Sequence, residues 1–219
     1  MAAVTIIDYG VGNLLSVARA FVKIGAEAVV SSDPAAIARA ERLVLPGVGA
    51  FSQGMQEVRQ RGLIEPLRAF ARSSRPFLGV CLGMQMLLDS SEEFGAHPGL
   101  GLIPGKVVAI PRTKQDGSPH KIPHIGWDAL QPAPGADWST TALADVQPGA
   151  YAYFVHSFSA EPTRRENRLA DVDYNGRTVC AVVSNGGIVG CQFHPEKSGD
   201  VGLSILRRFL ISEPRRLSA

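Results

Sequence analysis

The chain has 219 residues, of which 45% are hydrophobic and 19% are charged, values that are typical of a soluble globular protein with one core. The formal net charge of +2 argues against nucleic acid as the main partner. No apolar stretch approaches the ~20 residues of a membrane-spanning helix, and the N-terminus lacks the basic segment of a signal peptide. Three cysteines without a CxxC pair disfavour disulfides and zinc and predict a cytoplasmic location.

Apolar strands and amphipathic helices alternate through the first 90 residues. Strands are predicted over 4–7, 27–30 and 42–45, and helices over 14–24 and 53–73, the second of them broken near Gly62. Asp33 followed by Pro34 is typical of a further helix start. This order predicts a parallel sheet with right-handed crossovers, in which the loops at the carboxyl ends of the strands form the usual site.

Two glycine-rich loops leave the carboxyl ends of predicted strands. In the first, Gly10 and Gly12 could cradle a phosphate, but a tight turn with Asn13 as a helix cap is the favoured interpretation. The second loop, over 46–49, is expected to lie beside the turn at Cys81, which leaves the next predicted strand.

The segment Gly79-x-Cys81-x-Gly83 lies between a buried strand and residues 84–88, which are predicted to be the start of a helix. This is the spacing of a nucleophile elbow, with cysteine in place of the commoner serine. The strained turn requires small residues two before and two after the nucleophile, and it leaves the Leu82 N–H free to stabilise negative charge. A cysteine near a buried strand is also often inert, so the motif alone leaves both interpretations open.

After Asp89 the pattern changes to short β-runs, predicted over 106–110, 127–130, 151–158, 168–174, 178–184 and 188–193. Asn175-Gly176 and Asn185-Gly186-Gly187 are typical of hairpin turns. We therefore expect a mixed or antiparallel extension of the first sheet. A last helix is predicted over 199–211, so that residues 1–212 form one domain and residues 213–219 a C-terminal tail.

A thiol nucleophile needs a base, and the base needs a group that orients it. The best candidates are His194 and Glu196, which follow the last apolar β-run. Two residues apart in an extended segment, their side chains would lie on the same face, with Pro195 fixing the backbone between them. A structural histidine at a strand end is the alternative interpretation.

The other histidines are weaker candidates. His156 lies in an aromatic run without a nearby carboxylate, so we interpret it as packing or lining the pocket. His120 and His124 have a spacing that suits a metal on a helix, but Pro123 argues against a helix, and Asp128 is the first acidic residue after them. We therefore predict no metal site.

Three motifs together resemble the class I (triad) glutamine amidotransferase family: Gly-Val-Cys-Leu-Gly-Met-Gln, Pro-Gly-Val-Gly and Phe-His-Pro-Glu-Lys-Ser. Three more, over 8–14, 123–127 and 153–157, are similar to the glutaminase subunits of imidazole glycerol phosphate synthases. The resemblance runs from residue 5 to about 210. It implies a flavodoxin-like α/β fold, in which a mixed, largely parallel central sheet is flanked by helices.

The resemblance also implies a mechanism without a cofactor. Cys81 would attack the side-chain amide of L-glutamine, giving a γ-glutamyl thioester and ammonia, while His194, oriented by Glu196, transfers the protons. The N–H groups of Leu82 and Val48 would form the oxyanion hole. The implied glutamine-binding residues are Gly49, Gln85, Ser157 and Phe158. Phe158 departs from the tyrosine that the family often has, so no hydroxyl-dependent role is expected there.

The resemblance further implies a partner, a (β/α)₈-barrel cyclase that receives the ammonia and makes imidazole glycerol phosphate and aminoimidazole carboxamide ribotide in histidine biosynthesis. The implied contact residues are Asn13, Pro123, Trp127, Tyr153 and Lys197. Three alternatives stay open: a glutaminase of another pathway, such as the vitamin B6 or anthranilate systems, a catalytically inactive interaction protein, and a generic cysteine hydrolase.

Overall fold

The computed structural model describes residues 2–217. The α-helices in this part of the chain are α1 (Leu14–Lys23), α2 (Pro34–Arg39), α3 (Phe51–Gln60), α4 (Ile64–Arg72), α5 (Leu82–Met86) and α6 (Gly199–Leu210). The strands are β1 (Ala3–Ile7), β2 (Glu27–Ser31), β3 (Leu43–Leu45), β4 (Phe77–Val80), β5 (Leu88–Ser91), β6 (His97–Pro98), β7 (Ile103–Ala109), β8 (His124–Ala129), β9 (Gln131–Pro132), β10 (Tyr151–His156), β11 (Phe158–Pro162), β12 (Arg168–Tyr174), β13 (Arg177–Asn185) and β14 (Ile188–Cys191).

The central sheet has eight strands in the order β2-β1-β3-β4-β14-β13-β12-β9. The first five are mutually parallel, and the last three continue the sheet in antiparallel pairs. The predicted fold class, a mixed and largely parallel sheet flanked by helices, is therefore confirmed. Strands β4 and β14 are parallel neighbours, so the segments that follow them both begin at the same edge of the sheet.

Helices cover both faces of this sheet, which explains why all residues of β3 and β4 are buried. On one face α1 and α6 pack together, with the rings of Phe21 and Phe209 6.1 Å apart. On the other face α4 packs against β4, with Phe70 edge-on to Phe77 at 5.8 Å. The Asp33 side chain accepts from the N–H groups of Ala35 and Ala36, so the predicted start of α2 is confirmed.

The second half of the chain extends the central sheet only in part. Strands β9, β12 and β13 join it, but β11-β7-β5-β6 form a separate four-stranded sheet, and β8 and β10 form a two-stranded sheet. The prediction of one continuous sheet was therefore wrong for these strands. The helix predicted to start over 84–88 instead begins at Leu82 and ends at Met86, because Leu88 begins β5, which pairs with β7.

The C-terminal segment packs against the domain. The Arg215 N–H donates to the Ser74 carbonyl and the Gly187 N–H donates to the Arg215 carbonyl, both at 2.8 Å. Leu217 packs against the core, while Ser218 and Ala219 lie outside the described residues. The boundary at residue 212 stays a prediction. Among residues 2–217, no helix is both long enough and apolar enough to cross a membrane.

Candidate active site

The turn between β4 and α5 places Cys81 at the carboxyl edge of the sheet. Cys81 has φ +53° and ψ −111°, a strained conformation for a residue with a side chain, and only 7% of it is exposed. A Cβ on Gly79 would lie 2.8 Å from the Gly83 carbonyl oxygen, and one on Gly83 would lie 1.8 Å from the Leu45 carbonyl oxygen. The steric requirement predicted for the flanking glycines is thus confirmed.

His194 follows β14 and reaches the neighbourhood of Cys81. Its Nδ1 atom lies 2.8 Å from Oε1 of Glu196, and both side chains are almost completely buried. The Nε2 atom is buried and lacks a hydrogen-bond partner, so it is the ring nitrogen available to Cys81. Burial by itself lowers the pKa of His194, but the interactions with Cys81 and Glu196 outweigh burial and raise the pKa to about 9.

Backbone contacts hold the His194 segment in place. The His194 N–H donates to the Tyr153 carbonyl at 3.0 Å, and the Ser198 hydroxyl donates to the His194 carbonyl at 2.7 Å. The residues Pro195–Lys197 form a 3₁₀ turn. The two side chains therefore meet as predicted, but the extended segment assumed between them was wrong. A tight turn brings Glu196 back toward the imidazole.

The loop over 46–49 lies against the elbow in a closed arrangement. The Leu82 N–H, a predicted oxyanion donor, donates to the Gly47 carbonyl at 3.3 Å. Because C=O and N–H point in opposite directions across a trans peptide, the Val48 N–H points away from Leu82. The Tyr9 hydroxyl donates to the Pro46 carbonyl at 2.7 Å, whereas Val48 is 41% exposed. The structure thus does not bring the two predicted donors together.

The predicted glutamine-binding residues surround a network of side-chain amides. Gln85 Nε2 donates to the Phe158 carbonyl at 3.2 Å and to Gln192 Oε1 at 3.0 Å. Because Gln192 Oε1 is engaged, Gln192 Nε2 faces the Cys81 sulfur, at 3.8 Å. Gln192 was missed in the sequence, although a polar residue inside the apolar β-run over 188–193 was a signal.

The remaining predicted glutamine-binding residues lie at the edges of this network. Ser157 and Phe158 are half-buried, and they mark the passage from β10 to β11. Gly49 is exposed at the end of the loop over 46–49, with φ +97°.

The outer face of the β8–β10 sheet is apolar and exposed. Trp127 and Tyr153 are paired across the strands with their rings 5.8 Å apart, and Trp127 is 52% exposed. Ile125 and Val155 form the neighbouring pair and are also exposed; the sequence prediction did not include them. Among the other predicted contact residues, Pro123 and Lys197 are exposed and Asn13 is half-buried.

The side chains of the other cysteines and of His124 take no part in the triad. Burial raises the pKa of the thiols of Cys180 and Cys191, that of Cys180 to about 12, so both stay protonated at neutral pH. His124 lies in β8, a strand, as the argument from Pro123 requires. Within residues 2–217, no group of three or more His, Cys, Asp or Glu side chains could hold a metal ion.

Known proteins match nearly the whole length of the chain. Residues 5–212 match the family model of glutamine amidotransferase class-I. The chain is 54% identical over 211 residues to "Imidazole glycerol phosphate synthase subunit HisH 1" of Legionella pneumophila (strain Lens), a match that covers 96% of this chain and 99% of that protein. It is 47% identical over 214 residues to "Imidazole glycerol phosphate synthase subunit HisH" of Geobacter metallireducens, covering 97% of this chain and 100% of that protein.

Solved structures extend the comparison to the fold. The structure of PurLQS from Thermotoga maritima superimposes with a TM-score of 0.71 at 18% identity, covering 95% of this chain and 97% of that chain. The crystal structure of a glutamine amidotransferase from the same organism gives a TM-score of 0.66 at 14% identity, covering 96% of this chain and 99% of that chain. At this identity the likeness concerns the fold alone.

Proposed function

Since the chain belongs to the class I glutamine amidotransferase family, we propose that it performs the family's reaction at Cys81, with His194 and Glu196. It is an enzyme that hydrolyses glutamine and delivers the ammonia to the synthesis of imidazole glycerol phosphate in histidine biosynthesis. The observation that carries the assignment of residues is the strained, buried Cys81 beside a histidine whose Nδ1 is held by a carboxylate.

The first half of the reaction forms the thioester. His194 Nε2 takes the Cys81 proton, the sulfur bonds to the side-chain carbonyl carbon of glutamine, and the C–N bond breaks as His194 returns a proton to the leaving ammonia. Glu196 supports this exchange because it occupies Nδ1 and stabilises the imidazolium. In the second half, His194 takes a proton from water as the water oxygen bonds to the thioester carbon, the C–S bond breaks, and His194 returns the proton to the Cys81 sulfur as glutamate leaves.

The tetrahedral intermediates carry a negative oxygen that needs N–H donors. One missing donor of this kind typically reduces the rate ~10²–10³-fold. The Leu82 N–H donates to the Gly47 carbonyl, and the Val48 N–H points away from Leu82. With the loop in this closed arrangement, glutamine hydrolysis would therefore be slow. Rotation of the Gly47–Val48 peptide would remove the competing carbonyl and supply the second donor. We therefore propose that the loop over 46–49 switches the enzyme on.

The partner would be a (β/α)₈-barrel cyclase seated on the outer face of the β8–β10 sheet. The relatives' names describe a subunit of a synthase, which agrees with a second chain. The exposed Trp127, paired with the half-buried Tyr153, offers an aromatic surface that is typical of interface hot spots. Asn13, Pro123 and Lys197 would complete the contact. Ammonia would pass to the cyclase through a shielded channel, and the three free thiols favour the cytoplasm as the location.

Glutaminase activity with and without a cyclase of this kind and its ligand tests the proposal. We expect slow hydrolysis alone and stimulation of roughly 10²-fold or more in the complex, the value of one oxyanion donor. Cys81→Ala should abolish hydrolysis and labelling by a glutamine-mimicking electrophile while the complex still assembles. Cys191→Ala, which removes a buried thiol of the neighbouring strand, is the matched control and should retain both. Hydrolysis by Cys81→Ala would refute the assignment.

A further inference from the structure

A chain of buried and partly buried hydrogen bonds leads from β8 to the glutamine site. Asp128 Oδ2 lies 2.5 Å from His124 Nε2, and His124 Nδ1 lies 2.9 Å from His156 Nε2. His156 Nδ1 lies 2.8 Å from the Phe158 carbonyl oxygen, which also accepts from Gln85 Nε2. At the β8 end of the chain, 29% of the Asp128 side chain is exposed. The chain thus joins the strand that carries Trp127 to the carbonyl that holds Gln85.

The direction of each hydrogen bond in this chain follows from the carbonyl at which the chain ends. A carbonyl oxygen only accepts, so His156 must carry its proton on Nδ1, and its Nε2 must accept. His124 therefore donates from Nδ1, which leaves His124 Nε2 and Asp128 to share one proton. Burial lowers the pKa of His124 to about 4 and raises the pKa of Asp128, so both shifts oppose a charged imidazolium–carboxylate pair.

The rings of this chain have little freedom to move. His124 is completely buried and stacks on Tyr174, with ring centroids 3.9 Å apart, and on Phe154 at 4.9 Å. His156 is also buried, and burial lowers its pKa to about 3 although the Phe158 bond opposes this. Apolar rings would fill the same space without the free-energy cost of burying polar nitrogens. A complete, directional chain therefore calls for a role beyond packing.

We propose that Asp128, His124 and His156 are positioning residues that hold the Phe158 carbonyl, and with it Gln85, in the geometry that binds glutamine. This rests on the proposed function, because it assigns these residues a part in glutamine binding. The same residues tie the glutamine site to β8, whose outer face is the proposed partner surface. Docking of the partner on Trp127 would then act on β8, the strand that carries Asp128 and His124, the first two residues of the hydrogen-bond chain.

The test measures glutamine hydrolysis in the complex with saturating cyclase and its ligand. His156→Phe keeps a ring but removes both hydrogen bonds, so we expect KM for glutamine to rise roughly tenfold while kcat changes by less than about threefold. Loss of folded protein would instead lower kcat at unchanged KM. His120→Phe is the matched control, since His120 is equally buried, lies 3.1 Å from the Pro111 carbonyl and stacks near Tyr174, but is not part of the chain.

A second pair of variants keeps the test decisive if His156→Phe does not fold. Asn at position 128 can still donate an N–H to His124 Nε2, whereas Leu cannot. We expect Asp128→Asn to leave KM within about twofold of wild type and Asp128→Leu to raise it roughly fivefold. Equal KM values for the two variants, or an unchanged KM in a folded His156→Phe, would overturn the proposal. A wild-type complex without glutaminase activity would instead refute the proposed function itself.

Discussion

The elbow around Cys81 and the loop over 46–49 face each other across the candidate site, yet their construction differs. At the elbow, Gly79 and Gly83 have no room for a single extra carbon, and Cys81 is held in a strained conformation. In the loop, a Cβ on Gly49 would meet nothing within 4 Å, and Val48 is largely exposed. The elbow is confined by packing, whereas the loop is confined only at its first half: a Cβ on the buried Gly47 would lie 2.3 Å from the Tyr9 hydroxyl oxygen, but Val48 and Gly49 are exposed.

This difference suits an enzyme with a rigid nucleophile and a loop that changes conformation. A nucleophile must be positioned accurately at all times, so dense packing suits it. In the switch proposed above, the Val48 oxyanion donor must exchange between two peptide orientations of similar energy. Exposed backbone at Val48 and Gly49, beside the peptide that would rotate, permits that exchange.

A pair of alanine substitutions tests the comparison directly and has the largest expected effect. Gly83→Ala forces a Cβ to within 1.8 Å of the Leu45 carbonyl oxygen, so we expect about 3 kcal/mol lower unfolding free energy and no activity. Gly49→Ala meets no atom, and its φ of +97° alone should cost about 1 kcal/mol. Urea denaturation measures both. Equal destabilisation by the two variants would contradict a packed elbow and an open loop.

Removal of the Glu196 charge is expected to change both the rate and the pKa of His194. Glu196→Gln keeps the shape but removes the carboxylate, so the rate should fall roughly 10²-fold. His194 has its pKa raised to about 9, against burial, by Cys81 and Glu196, so this variant should move the basic limb of kcat/KM to lower pH. The stabilisation from His194 is complete below its ordinary pKa of 6.5 and is lost as pH rises through about 9, a loss that the variant should reduce.

The pH profile of kcat/KM, together with unfolding at pH 6 and pH 9, measures this prediction. Glu41→Gln, which changes an exposed carboxylate, serves as the control. An unmoved basic limb in Glu196→Gln would show that the limb belongs to another group.

The smallest expected effect concerns Gln192. Gln192→Met keeps the length of the side chain but removes the N–H that faces the Cys81 sulfur and the oxygen that holds Gln85. We expect glutamine hydrolysis to fall roughly tenfold and alkylation of Cys81 by iodoacetamide to slow at neutral pH, because the thiolate loses a donor. Gln115→Met on the exposed surface is the control. An alkylation profile equal to wild type would remove Gln192 from the site.

Local sequence was informative where function depends on neighbouring residues. The elbow needs glycines at fixed offsets from Cys81, and His194 and Glu196 are only two residues apart, so both patterns were visible. Gln192 was also accessible in principle, since a carboxamide inside a buried strand needs a partner. The extended geometry assumed between His194 and Glu196 was wrong, because sequence spacing does not distinguish an extended strand from a 3₁₀ turn.

By itself the sequence predicted the parallel strand–helix order, the elbow turn and the closeness of His194 to Glu196, because each rests on short-range sterics and periodicity. Only the tertiary structure decided that His124 lies opposite His156, 32 residues away, since cross-strand register depends on which strands pair. It also decided that the Gly47 carbonyl engages Leu82. The orientation of one peptide between two hydrogen-bonding choices depends on the three-dimensional surroundings, which no local pattern encodes.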